Sequence, residues 1–273
     1  MKILAIFTCF NRKDKTEYCI KSLVSGNPRC EFTFIVADDC STDGTIEALK
    51  KMKEVYDIHL LIGNGSLYYS GGMQLGMNYA LEKMNQNYDY MLMMNDDVEF
   101  YDKCIEKMIK QSVEQGEAVV IGAMQNNNGQ LSYGAIKYVK GIKYETLDIN
   151  QWSKPADTFN ANCVLIPYSA FIKVGAMDSH YIHSLGDFDY GLMLKKYGYK
   201  LFISKEYAGL CNNNSNKGTW TDQSLTIRER IRKKESIKGA PTKLWFYFLK
   251  KHFGITTAIK ASLTPYIRIL LRK

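Results

Sequence analysis

Short apolar runs alternate with segments of helical periodicity through the first 125 residues, and this alternation limits the folds that are open to the chain. Buried strands are predicted at 2–7, 32–37, 58–62, 90–94 and 118–124. Helices are predicted between them, at 13–25, 42–56, 71–84 and 101–115. Strands that are separated by helices form a mostly parallel sheet with helices on its faces. The sequence therefore predicts an α/β fold.

The alternation ends after residue 125, where the predicted elements become shorter and mixed. Hairpin strands are predicted around 131–144, a strand at 162–167, and helices at 168–174 and 187–197. From Arg228 onward the chain carries 13 Lys or Arg residues and two Asp or Glu residues, whereas the whole protein has a net charge of +8. We therefore predict a basic tail at 226–273 behind a nearly neutral body.

Composition argues against several classes of protein. No apolar stretch approaches the roughly 20 residues that cross a bilayer, and the apolar N-terminal run leads into Asn11 and Arg12 rather than a signal-peptide cleavage site. Seven cysteines are scattered without a Cys-X-X-Cys pair, which argues against a disulfide framework and a structural zinc site. No recognised nucleic-acid-binding module is present. We therefore expect a cytoplasmic protein without a nucleic-acid partner.

Pairs of carboxylates follow two of the predicted strands. Asp38 and Asp39 come after the second strand, and Asp96 and Asp97 come after the fourth. The carboxyl ends of parallel strands meet at one edge of a sheet, where ligands bind. Mn²⁺ or Mg²⁺ takes one or two carboxylates there and completes its shell with water and phosphate oxygens. We predict Asp97 as the metal ligand and Asp96 beside a ribose or a metal-bound water; a plain turn or helix cap is the alternative.

A glycine-rich loop at 63–72 leads into the third predicted helix. Glycine lets the backbone approach a ligand closely, and a helix N-terminus favours phosphate. We therefore predict that Gly71 and Gly72 line a nucleotide site, where Tyr68 and Tyr69 stack on a sugar or base. The alternative is a turn with two packing tyrosines.

Six short motifs, in their order along the chain, resemble those of family 2 glycosyltransferases, including rhamnosyltransferases and other enzymes of polysaccharide biosynthesis. The motifs are FTCFNR at 7–12, DDCSTDGT at 38–45, NDD at 95–97, NANC at 160–163, VGAMD at 174–178 and GDFD at 186–189. The resemblance covers about residues 3–205. It implies the GT-A fold, a Rossmann-like, mostly parallel central sheet with flanking helices, here followed by a helical C-terminal extension. It also implies a catalytic domain at 1–225, with a nucleotide-binding half at 1–125 and an acceptor-binding half at 126–225.

The resemblance also assigns roles to residues. It implies that Thr8 and Asp39 hold the nucleotide base, that Asp96 lies near the ribose and that Asp97 binds Mn²⁺ or Mg²⁺. The predicted nucleotide-binding set also includes Asn11, Arg12 and Asp38. Asp187 matches the catalytic base of the family, which takes a proton from the acceptor hydroxyl in a single inverting displacement. Asp189 is the alternative base or an acceptor contact. Many relatives carry an arginine after this acidic pair; here Lys195 or Lys196 is expected to substitute in contacting phosphate.

Three further residues are predicted to contact donor or acceptor: Asn162, His183 and Trp220, the last with core packing as its alternative. The sequence thus predicts a metal-dependent inverting glycosyltransferase that moves a sugar from a UDP- or dTDP-sugar to a hydroxyl of a glycan or lipid-linked acceptor in surface polysaccharide biosynthesis. A non-catalytic nucleotide-sugar-binding protein and a nucleotidyltransferase on a similar sheet are the alternatives.

Apolar residues recur every fourth position in the basic tail, at Ile255, Ile259, Leu263, Ile267 and Leu271. A helix with an apolar stripe and basic flanks suits the surface of an anionic membrane. We therefore expect peripheral contact with the inner face of the cell membrane. The alternatives are packing of the tail on the catalytic domain or in a homodimer.

Overall fold

The computed structural model describes residues 1–84 and 87–271, so that Arg272 and Lys273 of the predicted tail lie outside the described residues. The strands are β1 Lys2–Cys9, β2 Glu31–Asp38, β3 Asp57–Ile62, β4 Tyr90–Met94, β5 Glu99–Phe100, β6 Val119–Gln125, β7 Leu131–Tyr133, β8 Ala135–Lys140, β9 Lys143–Thr146, β10 Thr158–Phe159, β11 Cys163–Pro167 and β12 Leu201–Leu210. The α-helices are α1 Lys13–Gly26, α2 Thr45–Met52, α3 Tyr68–Lys83, α4 Cys104–Glu114, α5 Tyr168–Val174, α6 Gly186–Lys196, α7 Ile227–Lys234, α8 Thr242–Phe253, α9 Ile255–Ser262 and α10 Thr264–Leu270.

The main sheet has the strand order β3, β2, β1, β4, β11, β6, β12, β5, with β7 paired to β6. The first four strands of this order are parallel, as are β6 and β12, and β11 runs antiparallel between β4 and β6. Strands from both sides of residue 125 therefore share one mostly parallel sheet. This arrangement confirms the predicted mixed α/β architecture.

Both faces of the main sheet are buried, as alternation along β1 shows. Ile3, Ala5 and Phe7 point into a core that includes side chains of α1, α2 and α4. Leu4 and Ile6 point into a second core on the opposite face, which includes side chains of α3, α5 and α6. A strand covered on both faces reads as a continuous apolar run, which is why β1 could be predicted from the sequence.

The register of the parallel strands brings the predicted acidic clusters to one edge. Cys9 pairs with Asp38 across β1 and β2, and Ile6 pairs with Met93 across β1 and β4. Because these strands run in the same direction, the loops that follow them emerge side by side. The site is built from these loops.

Two features differ from the prediction. No element was predicted at β12, a ten-residue strand with irregular register against β6 between Ile203 and Tyr207; the exposed Lys205 and Glu206 interrupt its apolar pattern. Helix α2 is shorter than predicted and begins at Thr45, because Asp43 accepts hydrogen bonds from the backbone N–H of Thr45 and Lys13. The predicted hairpin exists as β8 and β9, which form a small sheet with β10.

The C-terminal segment is helical, as predicted, and it is divided into the separate helices α7, α8, α9 and α10. Gly254 has a φ of 84° and separates α8 from α9, and Leu263 separates α9 from α10. Helix α8 packs on the body through an apolar cluster that joins Phe248 and Leu249 to Tyr181. Among the residues that the structure describes, no helix combines the length and apolar character that a membrane crossing requires.

Candidate active site

A cavity of about 570 Å³ opens at the edge of the sheet where β1, β2 and β4 end. This volume lies within the range of small-molecule sites, about 300–1,000 Å³. Ten of the predicted site residues line it: Thr8, Arg12, Asp39, Tyr68, Tyr69, Asp96, Asp97, Asn162, His183 and Asp187. The fold therefore brings together residues that are as much as 179 positions apart in the chain.

Asp96 and Asp97 share one cation. Nη1 of Arg12 lies 2.9 Å from Oδ1 of Asp96 and 2.9 Å from Oδ2 of Asp97. The side chain of Asp96 is 5% exposed and that of Asp97 is 21% exposed. Burial raises the pKa of Asp96 to about 6, although the charge of Arg12 opposes this rise. Both carboxylates thus face a single point of positive charge.

This carboxylate pair fits a hard divalent cation. The guanidinium of Arg12 shows that positive charge is stabilised between the two side chains. No cluster of three or more His, Cys, Asp or Glu residues suited to a metal occurs within 1–84 and 87–271. Mg²⁺ and Mn²⁺ are typically held by one or two carboxylates while substrate phosphates and waters fill the other positions. Asp97, with Asp96 beside it, can hold such an ion.

Asp39 organises the glycine-rich loop. Its carboxylate accepts hydrogen bonds from the backbone N–H groups of Gly65 at 2.8 Å, Leu67 at 3.0 Å and Tyr68 at 3.0 Å. The side chain spans the gap between the end of β2 and the start of α3. Because the loop wraps the carboxylate, Tyr68 and Tyr69 are held on the cavity wall.

Four of the predicted nucleotide-binding residues support the wall instead of lining it. Asp38 is fully buried and accepts a hydrogen bond from the N–H of Ser41. Asn11 joins the β1 and β2 loops by accepting from the N–H of Thr42. The N–H of Gly71 donates to the carbonyl of Ile182. A Cβ on Gly72 would lie 2.3 Å from Oγ1 of Thr8, so a side chain at residue 72 would displace a cavity residue.

Asp187 stands at the start of α6 and lines the same cavity as the carboxylate pair that follows β4. Its Oδ1 accepts a hydrogen bond from the N–H of Phe188. Among the described residues it has no ion-pair partner. Burial raises the pKa of Asp187 to about 6, against the effect of backbone N–H groups that include that of Ala161. A carboxylate with this pKa is ionised at neutral pH and can accept a proton.

Two polar atoms near Asp187 lack partners. Within the part of the chain that the structure describes, the hydroxyl of Tyr69 and Nδ1 of His183 are buried without a hydrogen bond. Burial, together with the charge of Asp187, raises the pKa of Tyr69 above its ordinary range. Burial and the nearby charge of Lys238 lower the pKa of His183. Unpaired buried polar groups cost stability, and a polar ligand would relieve that cost.

Two predicted contacts lie outside the cavity lining. Asp189 is buried and accepts hydrogen bonds from the side chains of Tyr181, Lys251 and His252, so its carboxylate holds α8 against the body. This position agrees with the alternative that the tail packs on the catalytic domain. Trp220 is partly buried, and its ring lies 5.8 Å from the guanidinium of Arg268 in α10.

The expected phosphate contacts after the acidic pair are not in the cavity. Lys195 instead bonds to Asp157, beside the small sheet. The structure adds lining residues that were not predicted, among them Tyr133, Asn160, Ser184, Phe188, Asn214 and Lys238. Asn160 belongs to a motif already noted, and its adjacency to Asn162 was a usable signal. Lys238 lies in the basic tail, where no sequence pattern distinguishes it.

Comparison with known proteins identifies the family to which the sequence is similar. A sequence profile of glycosyl transferase family 2 matches residues 5–175. The succinoglycan biosynthesis protein ExoA of Rhizobium meliloti strain 1021 is 22% identical over 208 residues, which are 74% of this chain and 60% of ExoA. The chain therefore spans about three fifths of the length of that relative.

Solved structures share the fold. S. aureus TarS 1–349 in complex with UDP-GlcNAc aligns with a TM-score of 0.59 at 12% identity, over 98% of this chain and 81% of that one. The mannosyltransferase PcManGT from Pyrobaculum calidifontis, in complex with GDP-Man and Mn²⁺, aligns with a TM-score of 0.59 at 10% identity, over 99% of this chain and 73% of that one. At these identities the likeness establishes the GT-A fold alone. With the profile matching more than half of its residues, the chain belongs to glycosyl transferase family 2.

Proposed function

We propose that the protein is a metal-dependent, inverting glycosyltransferase that uses a nucleoside-diphosphate sugar. One observation carries the proposal: a carboxylate pair suited to a divalent cation and a carboxylate suited to be a base line the same cavity. The pair is Asp96 and Asp97, and the base is Asp187. A general base works best when its pKa is near the working pH, and burial brings that of Asp187 to about 6.

The proposed reaction is a single displacement. The carboxylate of Asp187 takes the proton of the acceptor hydroxyl while the acceptor oxygen bonds to the anomeric carbon. The bond from that carbon to the diphosphate oxygen breaks, and the nucleoside diphosphate leaves with the electron pair. Attack from the side opposite the leaving group inverts the anomeric configuration. A Mn²⁺ or Mg²⁺ ion on Asp97 would stabilise the charge of the departing diphosphate.

The donor is proposed as a UDP- or dTDP-sugar. The cavity supports such a ligand because aromatic and amide side chains adjoin its acidic edge, namely Phe10, Tyr68 and Asn162. The related fold of TarS was solved with UDP-GlcNAc, and that of PcManGT with GDP-Man and Mn²⁺. We therefore include guanosine diphosphate sugars among the donors to be tested.

The acceptor is proposed as a hydroxyl of a glycan or a lipid-linked saccharide in surface polysaccharide biosynthesis. The name of ExoA, a succinoglycan biosynthesis protein, supports this assignment. The enzyme would act in the cytoplasm, where nucleotide sugars are available, and at the inner face of the cell membrane.

The tail supports contact with that membrane. All five residues of the predicted stripe are about half exposed or more, with exposed fractions of 49% for Ile255, 58% for Ile259, 59% for Leu263, 52% for Ile267 and 60% for Leu271. The basic residues Lys260 and Arg268 lie on α9 and α10, which also carry residues of this stripe. An apolar face with basic flanks is attracted to anionic lipid, to which each cation adds about 1 kcal/mol.

A donor screen tests the proposed reaction. Purified protein is incubated with a panel of nucleotide sugars, with and without Mn²⁺ or Mg²⁺, and released nucleoside diphosphate is measured. We expect metal-dependent release from one donor, its loss in Asp97→Ala and Asp187→Asn, and no loss in the surface control Asp102→Asn. Donor binding by the wild type without turnover of any donor would favour a non-catalytic binder. Formation of a nucleoside triphosphate and a sugar 1-phosphate from a nucleotide sugar when pyrophosphate is added would favour a nucleotidyltransferase. Retention of the anomeric configuration in the product would contradict inversion.

Vesicle sedimentation tests the membrane contact. The wild type is expected to bind vesicles that contain phosphatidylglycerol and to ignore pure phosphatidylcholine. Replacing Ile259 and Ile267 by serine should abolish binding. The matched control replaces Val55 and Val139 by serine. These side chains are 77% and 59% exposed on the body, and the control should bind like the wild type. Equal binding by both double variants would refute the assignment.

A further inference from the structure

A short turn between α7 and α8 brings a cation from the C-terminal segment into the cavity. The 3₁₀ turn Ile237–Gly239 lies outside residues 5–175, which the family profile matches. Its central residue, Lys238, lines the cavity together with Asp187 and His183. The C-terminal segment thus contributes a residue to the lining of the cavity.

The conformation of this turn is fixed by its neighbours. Oγ of Ser184 donates to the carbonyl of Lys238 at 3.2 Å, which joins the turn to the loop before α6. Lys234 is buried and donates Nζ to the carbonyl of Ala240. A Cβ on Gly239 would lie 2.0 Å from the carbonyl oxygen of Lys233, so only glycine fits there. These contacts hold the turn, and with it Lys238, against the loop before α6.

The charge of Lys238 is available to a ligand. Arg12 and Lys238 are the Lys or Arg residues that line the cavity, and Arg12 is bound by Asp96 and Asp97. Within 1–84 and 87–271, Lys238 takes part in no ion pair. Lys238 lies close enough to His183 that its charge, in addition to burial, lowers the pKa of that imidazole.

The chemistry of the site calls for such a cation. A nucleoside diphosphate carries more negative charge than one divalent ion neutralises, and four aspartates already line the cavity: Asp39, Asp96, Asp97 and Asp187. Lys195, expected to contact phosphate, is bound to Asp157. Lysine is a common phosphate ligand because its ammonium acts as a point charge with three donors.

On the basis of the function proposed above, we propose that Lys238 binds the diphosphate of the donor and of the leaving nucleoside diphosphate. Its ammonium donates to a phosphate oxygen on the side of the cavity that holds Asp187. The C-terminal segment therefore contributes to the donor site in addition to any contact with a membrane.

Calorimetric titration of the full chain tests this role. In the presence of Mn²⁺, UDP, dTDP, GDP and CDP are titrated into the wild type, and the matching nucleosides are measured by competition. Lys238→Ala should weaken binding of the preferred diphosphate about tenfold, as expected for a lost charge-assisted hydrogen bond, and leave nucleoside affinity unchanged. Lys238→Arg should retain most of the affinity. Lys233→Ala, an exposed lysine of the same segment, is the matched control and should bind like the wild type.

The outcomes separate this inference from the proposed function. If the wild type binds no nucleoside diphosphate with Mn²⁺, the proposed function fails and the role of Lys238 fails with it. If the wild type binds one and Lys238→Ala binds it equally well, only the role of Lys238 is overturned. An equal loss of nucleoside and diphosphate affinity would also overturn it, because the effect would then be structural. Thermal unfolding of each variant confirms that the fold is retained.

Discussion

Replacing Asp187 by asparagine should stabilise the metal-free protein while it removes the proposed base. The carboxylate is held in the cavity wall by backbone N–H donors and has no ion-pair partner among the residues described. These hydrogen bonds therefore offset only part of the free energy that is needed to bury the charged carboxylate. Asparagine has nearly the same shape and carries no charge, so the variant avoids the cost of burying the ion.

The pKa of Asp187 sets the magnitude. Burial raises it from 3.8 to about 6 in the folded protein, and each unit corresponds to about 1.4 kcal/mol. Because the folded pKa lies above the unfolded one, the wild type loses stability as the pH rises from about 4 to about 6. Above pH 6 the unfolding free energy of the wild type is lower by at most about 3 kcal/mol. We expect a loss of about 1–3 kcal/mol, because the side chain borders an open cavity where solvent screens its charge. At about 2–4 °C per kcal/mol, Asp187→Asn should melt several degrees above the wild type.

Calorimetry at pH 8 and at pH 4 measures this effect. The melting temperature of Asp187→Asn should exceed that of the wild type at pH 8, and the difference should vanish near pH 4. Asp189→Asn is the matched control two residues away. Its carboxylate is only 2% exposed and faces Lys251 and His252, so this variant should lose about 3–5 kcal/mol. A melting temperature of Asp187→Asn below that of the wild type, or a difference that does not depend on pH, would mean that the buried charge of Asp187 does not destabilise the fold.

Three other predictions follow from the geometry of the cavity. Gly72→Ala should lower the unfolding free energy by about 1–3 kcal/mol because the added Cβ would meet Thr8. In the control Gly71→Ala, where the nearest contact of the added Cβ is at 3.6 Å, the unfolding free energy should be unchanged or rise by up to about 1 kcal/mol. Equal losses for the two variants in denaturant titrations would contradict this. Arg12→Ala should tighten Mn²⁺ binding up to about fivefold in spin-resonance titrations without nucleotide, since an ion pair of a half-exposed side chain is worth at most about 1 kcal/mol; weaker binding would mean that Arg12 organises the pair. With saturating Mn²⁺, kcat/KM should fall about tenfold per pH unit below about 6 as Asp187 takes up a proton, and a flat profile from pH 5 to pH 7 would exclude this base.

Local patterns were sufficient to predict the first strands of the sheet and the edge that carries the site, but not β12. Strands β1, β2 and β4 are continuous apolar runs followed by polar loops, and parallel pairing brings those loops together. Cavity residues such as Thr8, Asp39, Asp97 and Asp187 could therefore be named from motif and position. The sequence could not predict which of two neighbouring carboxylates would line the cavity. Asp38 is fully buried, whereas Asp39 lines the cavity and holds the glycine-rich loop.

Long-range contacts account for what the sequence did not reveal. Asp189 was a candidate base because it is acidic and near Asp187, and only the docking of α8 shows that its carboxylate binds Lys251 and His252. Lys238 is one of many basic residues in its segment, and its place in the cavity depends on a turn whose partner, Ser184, is 54 residues away. Tertiary contacts of this kind leave no periodic signal.

The central claim is that this cavity binds a nucleoside diphosphate through a divalent cation on Asp97. Calorimetric titration of UDP, dTDP, GDP and CDP, with and without Mn²⁺, tests it without requiring an acceptor. We predict that at least one of them binds the wild type and the control Asp102→Asn more tightly with Mn²⁺, and that Asp97→Ala loses this dependence. Binding that is absent with Mn²⁺, or that is unchanged in Asp97→Ala, would contradict it.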